Sequence, residues 1–401
     1  MTPEPLPAML RRLRTSRGWS QARVAAALCE ASGHPTVTRN DVSRWERGKR
    51  VPRFWLPYLA RVFDLPREQL ELATVTDPGP DAEDTLASLL PPGDAVAPLS
   101  TRSGRRVGQS TADDFAARAH GLRLADDVLA GGDLIGPVFR ELGAAVRVLR
   151  ESTHNDAVRR ELLESVGELA QIAGWVASDA ADPRAESTYR LGLDAAKEAG
   201  DMTLAAQLAG SLAYHWSNNG RESEGATLAV AAVAEAGPNA PGKARALFHD
   251  RAAWSHTKAG DAQAAMRSLE AAHEAFADGN GRAPDWAYWV TADELEVMDA
   301  RVYTELRRPL RAVPLLSRVL REYPTTSTRE RALYESWLAV AYADANEPEE
   351  AARVASHVIA LSGDTASARA SERVRVVLSR LAGYRDIPEV RDTLDSVGPE
   401  R

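Results

Sequence analysis

Residues 38–49 read Thr38-Arg39-Asn40-Asp41-Val42-Ser43-Arg44-Trp45-Glu46-Arg47-Gly48-Lys49. Thr38 is a helix N-cap, and Asp41, three positions on, completes a capping box, so a helix starts at Arg39. Val42 and Trp45 turn one side of it toward a core, and Gly48 ends it. Working outward, Leu6, Met9, Leu10 and Leu13 give an earlier helix an apolar stripe that stops at Gly18. Ser20 caps a second helix with Val24, Ala25 and Leu28 inward. An irregular stretch from Cys29 to Pro35 leads to the quoted helix; Pro52 opens a fourth, with Leu56, Leu59, Ala60 and Phe63, and a short fifth runs through Leu70.

These features together resemble the helix-turn-helix family of the lambdoid phage repressors, also called the XRE family. Arg14, the turn Gly18-Trp19-Ser20-Gln21, the run quoted above and Pro52-Arg53-Phe54 carry the likeness, over about 68 of the 401 residues. The resemblance implies a five-helix DNA-binding domain at 1–73 whose third helix lies in the major groove. It implies Arg39, Asn40 and Arg44 as base readers, since Arg matches the two acceptors of guanine and Asn the donor and acceptor of adenine. It places Gln21, Thr38, Ser43, Arg47, Lys49, Arg50 and Arg53 at the DNA backbone, supplying affinity and salt dependence without sequence information. Arg53 has a second reading, in the minor groove. Arg14 and Glu46 match a family ion pair, and Trp45 is expected in the core, not stacked on a base. The Cys29–Pro35 loop is about seven residues longer than the family pattern.

Charge is distributed to match. Residues 1–73 hold 13 Arg/Lys against 7 Asp/Glu, while the remainder holds 36 against 50, so a head of +6 sits on a body of −14 within a net −8. A basic cluster binds polyanions whatever the bulk charge, and the acidic body is expected to discourage nonspecific wrapping.

Residues 74–112 contain Pro78, Gly79, Pro80, Pro91, Pro92, Gly93, Pro98, Gly104 and Gly108 and read as a linker. From Asp113 to the end the chain is rich in Ala, Leu and Glu with helical periodicity and no strand alternation, so the fold class is all-α. This body repeats. Small residues Ala185, Gly225, Ala265, Ala312 and Ala351 each stand five positions after a break at Ala180, Gly220, Gly260, Arg307 and Asn346. Two antiparallel helices joined by a tight turn approach closely there, where a large side chain would separate them. Five helix-turn-helix units follow, with His249, His256, Glu296 and Asp299 as polar intruders at core offsets. The pattern resembles the tetratricopeptide repeat and implies a C-terminal α-solenoid over 113–401.

No H-E-x-x-H, G-x-S-x-G or phosphate-loop motif occurs, so catalysis, a cofactor and a metal are not expected. Solenoids bind along their inner helices. The inward offsets collect Gln207, Tyr214, Asn218, Asp250, Trp254, Lys258, Glu294 and Arg301, a mixture suited to a peptide or a polar small molecule. A repressor-like head on such a body looks like the regulators that sense signalling peptides and like actinobacterial regulators of development and secondary metabolism. The expected partners are a double-stranded DNA operator, a second copy as a homodimer, and a peptide, small-molecule or protein effector. The alternative is a repeat protein that sequesters another regulator, with the head for localisation. The single Cys29 and the lack of an apolar span fit a cytoplasmic protein without a membrane partner.

Overall fold

A computed structural model describes residues 5–32, 37–48, 52, 55–66, 69–70, 73, 104–127, 129, 131–323, 328–363 and 368–397. The chain forms two compact units, Met1–Ser88 and Leu89–Arg401. It is all-α: among the described residues no β-strand occurs.

In the first unit, α1 (Leu6–Ser16) buries Leu6, Met9 and Leu10, and left-handed Gly18 lets Trp19 N donate back to Arg14 O at 3.1 Å. Glycine is favoured there because a Cβ opposes positive φ. Ser20 Oγ accepts from Arg23 N at 3.1 Å and starts α2 (Gln21–Ser32), which buries Val24, Ala25 and Leu28. The irregular stretch expected from Cys29 is therefore corrected: helix continues through Ser32. The helix formers Ala25–Ala27 and Glu30–Ala31 carry it on, and Arg61 Nη1 donates to the Ala31 carbonyl in its last turn at 3.3 Å. Then come α3 (Arg39–Trp45) and α4 (Leu56–Phe63). Trp45, Leu28, Leu59, Phe63, Leu70 and Ala73 share one core with the α1 stripe. Gln69 and Leu70 are helical, as the expected fifth helix requires; its other residues fall partly outside the described set.

The second unit runs α5 (Gln109–Asp126), α6 (Gly131–Glu151), α7 (Asp156–Asp179), α8 (Ala185–Ala199), α9 (Met202–Asn218), α10 (Glu222–Ala236), α11 (Gly242–Lys258), α12 (Ala262–Asp278), α13 (Ala292–Glu305), α14 (Pro309–Glu322), α15 (Thr328–Asp344), α16 (Pro348–Gly363), α17 (Ala368–Leu381) and α18 (Pro388–Ser396). Helices pair in sequence, α7 with α8 through α15 with α16, giving the five expected units; the short pair α17–α18 follows the fifth, beyond the anchored repeats. The first helices of consecutive pairs also pack on one another, from α7 against α9 to α15 against α17, which makes them one continuous wall of the stack. Residues 104–112, read as linker, are built into this unit. Gly104 N and Val107 N donate to Glu151 O and Thr153 O at 2.7 and 3.0 Å, α5 already starts at Gln109, and Ala112 is buried.

The five turns are closed alike. The residue after each left-handed position donates its N–H to a carbonyl five back: Asp182 to Ala177, Arg221 to Trp216, Asp261 to His256, Arg308 to Tyr303 and Glu347 to Tyr342, at 2.8–3.0 Å. The left-handed residues are Ala181, Gly220, Gly260, Arg307 and Asn346. The first break is thus corrected from Ala180 to Ala181. Ala185, Ala265, Ala312 and Ala351 are buried, and a Cβ on Gly225 would lie 2.2 Å from Ser217 Oγ and 2.8 Å from Ala213 O, which explains the small residue at that place. Of the polar intruders, Asp299 accepts from His273 at 2.8 Å and Glu296 pairs with Arg318, so they sit at half-buried edges of the helices.

Candidate functional site

The third helix of the head is fixed before anything binds it. Asp41 N donates to Thr38 Oγ1 at 3.3 Å, while Thr38 N and Oγ1 donate to Asp41 Oδ2 at 3.0 and 2.6 Å. Val42 and Trp45 are buried on the inner side, and Arg39, Asn40 and Arg44 are exposed. Asn40 and Arg44 are four residues apart and therefore neighbours on one face, as are Arg39 and Ser43. Ser43 is half-buried, and Arg47 folds back to donate from Nε to Ser43 O at 3.0 Å. Thr38 is exposed with its hydroxyl committed to the capping box. Lys49, Arg50 and Arg53 lie outside the described residues.

Glu46 anchors this helix from below. It is only 3% exposed, and its carboxylate accepts from Arg14 Nε at 2.5 Å, Arg14 Nη2 at 3.1 Å and Gln21 Nε2 at 2.8 Å, while Arg11 Nη2 takes its carbonyl at 2.9 Å. The expected Arg14–Glu46 pair is present, and the Glu46 hydrogen bond raises the Arg14 pKa above its ordinary value. Gln21, expected at the DNA backbone, has its side-chain amide tied to this carboxylate instead of standing free.

On the wall of first helices, the residues expected to line a groove divide into two groups. Tyr214, Trp254 and Arg301 meet: Tyr214 and Trp254 have ring centres 6.0 Å apart, Arg301 Cζ lies 4.7 Å from the Trp254 centre, and Arg301 Nη2 donates to Tyr214 Oη at 2.7 Å. Asn218 accepts from Trp254 Nε1 at 3.2 Å, and Lys258 pairs with Glu305 at 3.0 Å. Asp250 is 6% exposed, and burial pushes its carboxyl up to about 7. Gln207 lies beneath the wall at 2% exposure, and Glu294 accepts from Tyr323 and Tyr334 at 3.1 and 2.6 Å, with burial raising its pKa.

Four further residues complete the arrangement. Trp175 lies 5.8 Å from Tyr214, and Trp337 lies edge-on 5.6 Å from Trp254, so four aromatic rings follow one another along the stack. Arg251 sits 5.6 Å from the Trp175 centre and 5.9 Å from Tyr214; Arg373 sits 3.5 Å from Trp337. Guanidinium groups are attracted to ring faces at these distances. A signal existed for Trp175: counted from the left-handed residues, Trp175, Tyr214, Trp254 and Arg301 all stand six positions earlier. Arg251 and Arg373 carry no such sequence signal, because an arginine on a helix usually reads as solvated.

Residues 6–73 match a family model described as a helix-turn-helix domain. No curated protein matches the chain. The head is accordingly a helix-turn-helix domain, an architecture that binds DNA. No described helix is long and apolar enough to cross a membrane.

Proposed function

We propose that the chain is a sequence-specific transcriptional regulator, starting from its helix-turn-helix head and assigning the finer roles from the chemistry of its third helix. The observation that carries the reading is the division of α3: Val42 and Trp45 are spent on the core, and Arg39, Asn40 and Arg44 have their polar groups outward on a helix pinned at both ends. Arg39, Asn40 and Arg44 read base edges. Ser43, Arg47 and the capped end at Thr38 face the phosphates, helped by Lys49, Arg50 and Arg53. Gln21 acts through Glu46 as a positioning residue.

The body is proposed to join two heads and to receive a peptide, small-molecule or protein signal that changes their spacing; half-sites about one helical turn, roughly 34 Å, apart then bind in one state only. The repeating wall with its aromatic and cationic side chains supports a binding role, and no catalysis is proposed for it. The test is selection of genomic fragments by the purified full-length protein at about 150 mM salt, where nonspecific binding is weak. Enrichment of a two-fold symmetric site, lost when Arg39, Asn40 and Arg44 are changed to Ala, is expected. Equal enrichment by that variant overturns the assignment of base readers, and partner proteins captured equally by it point to sequestration.

A further inference from the structure

The row of rings on the first-helix wall contains a guanidinium that, among the described residues, has ring contacts but no ion-pair partner. Arg251 is 5% exposed, yet its Nε and Nη1 make no hydrogen bond among the described residues, and it forms no ion pair there. Its neighbour in sequence, Asp250, does not bond to it. Burial keeps that carboxyl partly protonated near neutral pH and lowers the Arg251 pKa. Room for the guanidinium is built in: a Cβ on Gly210 would come within 3.2 Å of Arg251 Cδ. Arg301 approaches the same Tyr214 ring at 5.7 Å, where its own Nε is also without a partner. A third cation, Arg373, lies beyond Trp337 with Nη2 unpaired.

A buried guanidinium costs several kcal/mol in desolvation unless an anion or a set of acceptors compensates it. Rings attract its face but leave the in-plane N–H donors unsatisfied, and those donors fit the two coplanar oxygens of a carboxylate or phosphate. We propose that the wall binds the oxyanion of a small ligand, a carboxylate or a phosphate group, at Arg251, with Arg301 as the second cation and Trp175 and Tyr214 beside it. This deepens the reading of the body as the signal-receiving part and rests on it only for the biological role, since anion binding itself is independent of DNA.

The test is calorimetric titration of the full-length protein with inorganic phosphate and with benzoate at matched ionic strength, benzamide serving as the uncharged control. One anion per chain is expected to bind, with benzamide silent; the preferred probe identifies the headgroup. Arg251→Met is expected to weaken binding at least about tenfold, the loss of a charge-assisted hydrogen-bonded pair. Binding of neither anion by the wild type, or equal binding by Arg251→Met, overturns the proposal. Where Arg251→Met fails to fold by circular dichroism, Arg251→Lys decides, because it keeps the charge without the planar fork, and wild-type affinity in that variant overturns the site. Operator affinity is measured in the same samples. Anion binding that leaves operator affinity unchanged preserves the site and removes the sensing role, whereas a symmetric operator bound by a protein that takes up neither probe removes the site alone.

Discussion

Glu46, at the end of α3, holds Arg14, near the end of α1, through both carboxylate oxygens, at 2.5 and 3.1 Å. The same carboxylate takes Gln21, so one buried acid joins the first three helices. Glu46→Ala leaves Arg14 and Gln21 without their acceptor and is expected to destabilise the head by about 2–4 kcal/mol. Hydrogen exchange of the α1–α3 amides in the full-length protein reads this directly. Unchanged protection in the head would show that the pair is dispensable.

Neighbouring residues of α3 should separate cleanly in effect. Arg44→Ala is expected to keep the fold and to cost about 1–3 kcal/mol on the best site, with little effect on random DNA. Trp45→Ala removes a buried indole, is expected to cost about 3–5 kcal/mol of stability, and abolishes binding to every sequence together. Competition binding beside near-ultraviolet circular dichroism distinguishes the two. Equal weakening of specific and random DNA by Arg44→Ala would rule it out as a reader.

Gly225 lies where α9 and α10 touch, and a methyl there meets a hydroxyl and a carbonyl. Gly225→Ala is expected to lose about 1–3 kcal/mol. Adding Ser217→Ala should recover only part of the loss, because the Ala213 carbonyl remains at 2.8 Å. Thermal unfolding of the two variants measures the difference.

Asp250 supplies a pH signature. Its carboxyl is pushed up to about 7 in the folded protein against 3.8 in the unfolded chain. A raised folded value means that its contribution to stability is fully present below about 4 and is lost as pH rises through about 7. Asp250→Asn cannot ionise, so the variant's stability relative to wild type is expected to climb between about pH 4 and 7 and to level off above. A pH-independent difference in urea midpoints contradicts this.

The head was legible because its signals are local. Thr38 with Asp41 starts a helix, Val42 and Trp45 aim it, and both outcomes depend on residues a few positions apart. The end of α2 was not legible, because the bond from Arg61 to the Ala31 carbonyl spans 30 residues. In the body, the small residues and four of the five turns stood at their expected positions, since a tight turn and a close helix contact each demand a particular residue size. The first turn slipped by one. Ala181, not Ala180, takes the left-handed conformation, two alanines side by side give composition nothing to choose between, and counting from Ala180 put Gly174 at the place that Trp175 occupies. The bond from Gln21 to Glu46 was not legible, because it joins residues 25 positions apart and a sequence pattern assigns a position and not the partner of its side chain.

The row of rings and guanidiniums ties together helices from successive turns of the stack, all on the wall of first helices, whereas among the described residues the second helices α8 and α10 are joined by the ion pair of Lys197 with Glu235 and by no such row of rings. Resistance to bending is therefore uneven around the stack. The first-helix wall is expected to act as a spine of nearly fixed length, with any flexing taken up by the gaps between the outer helices.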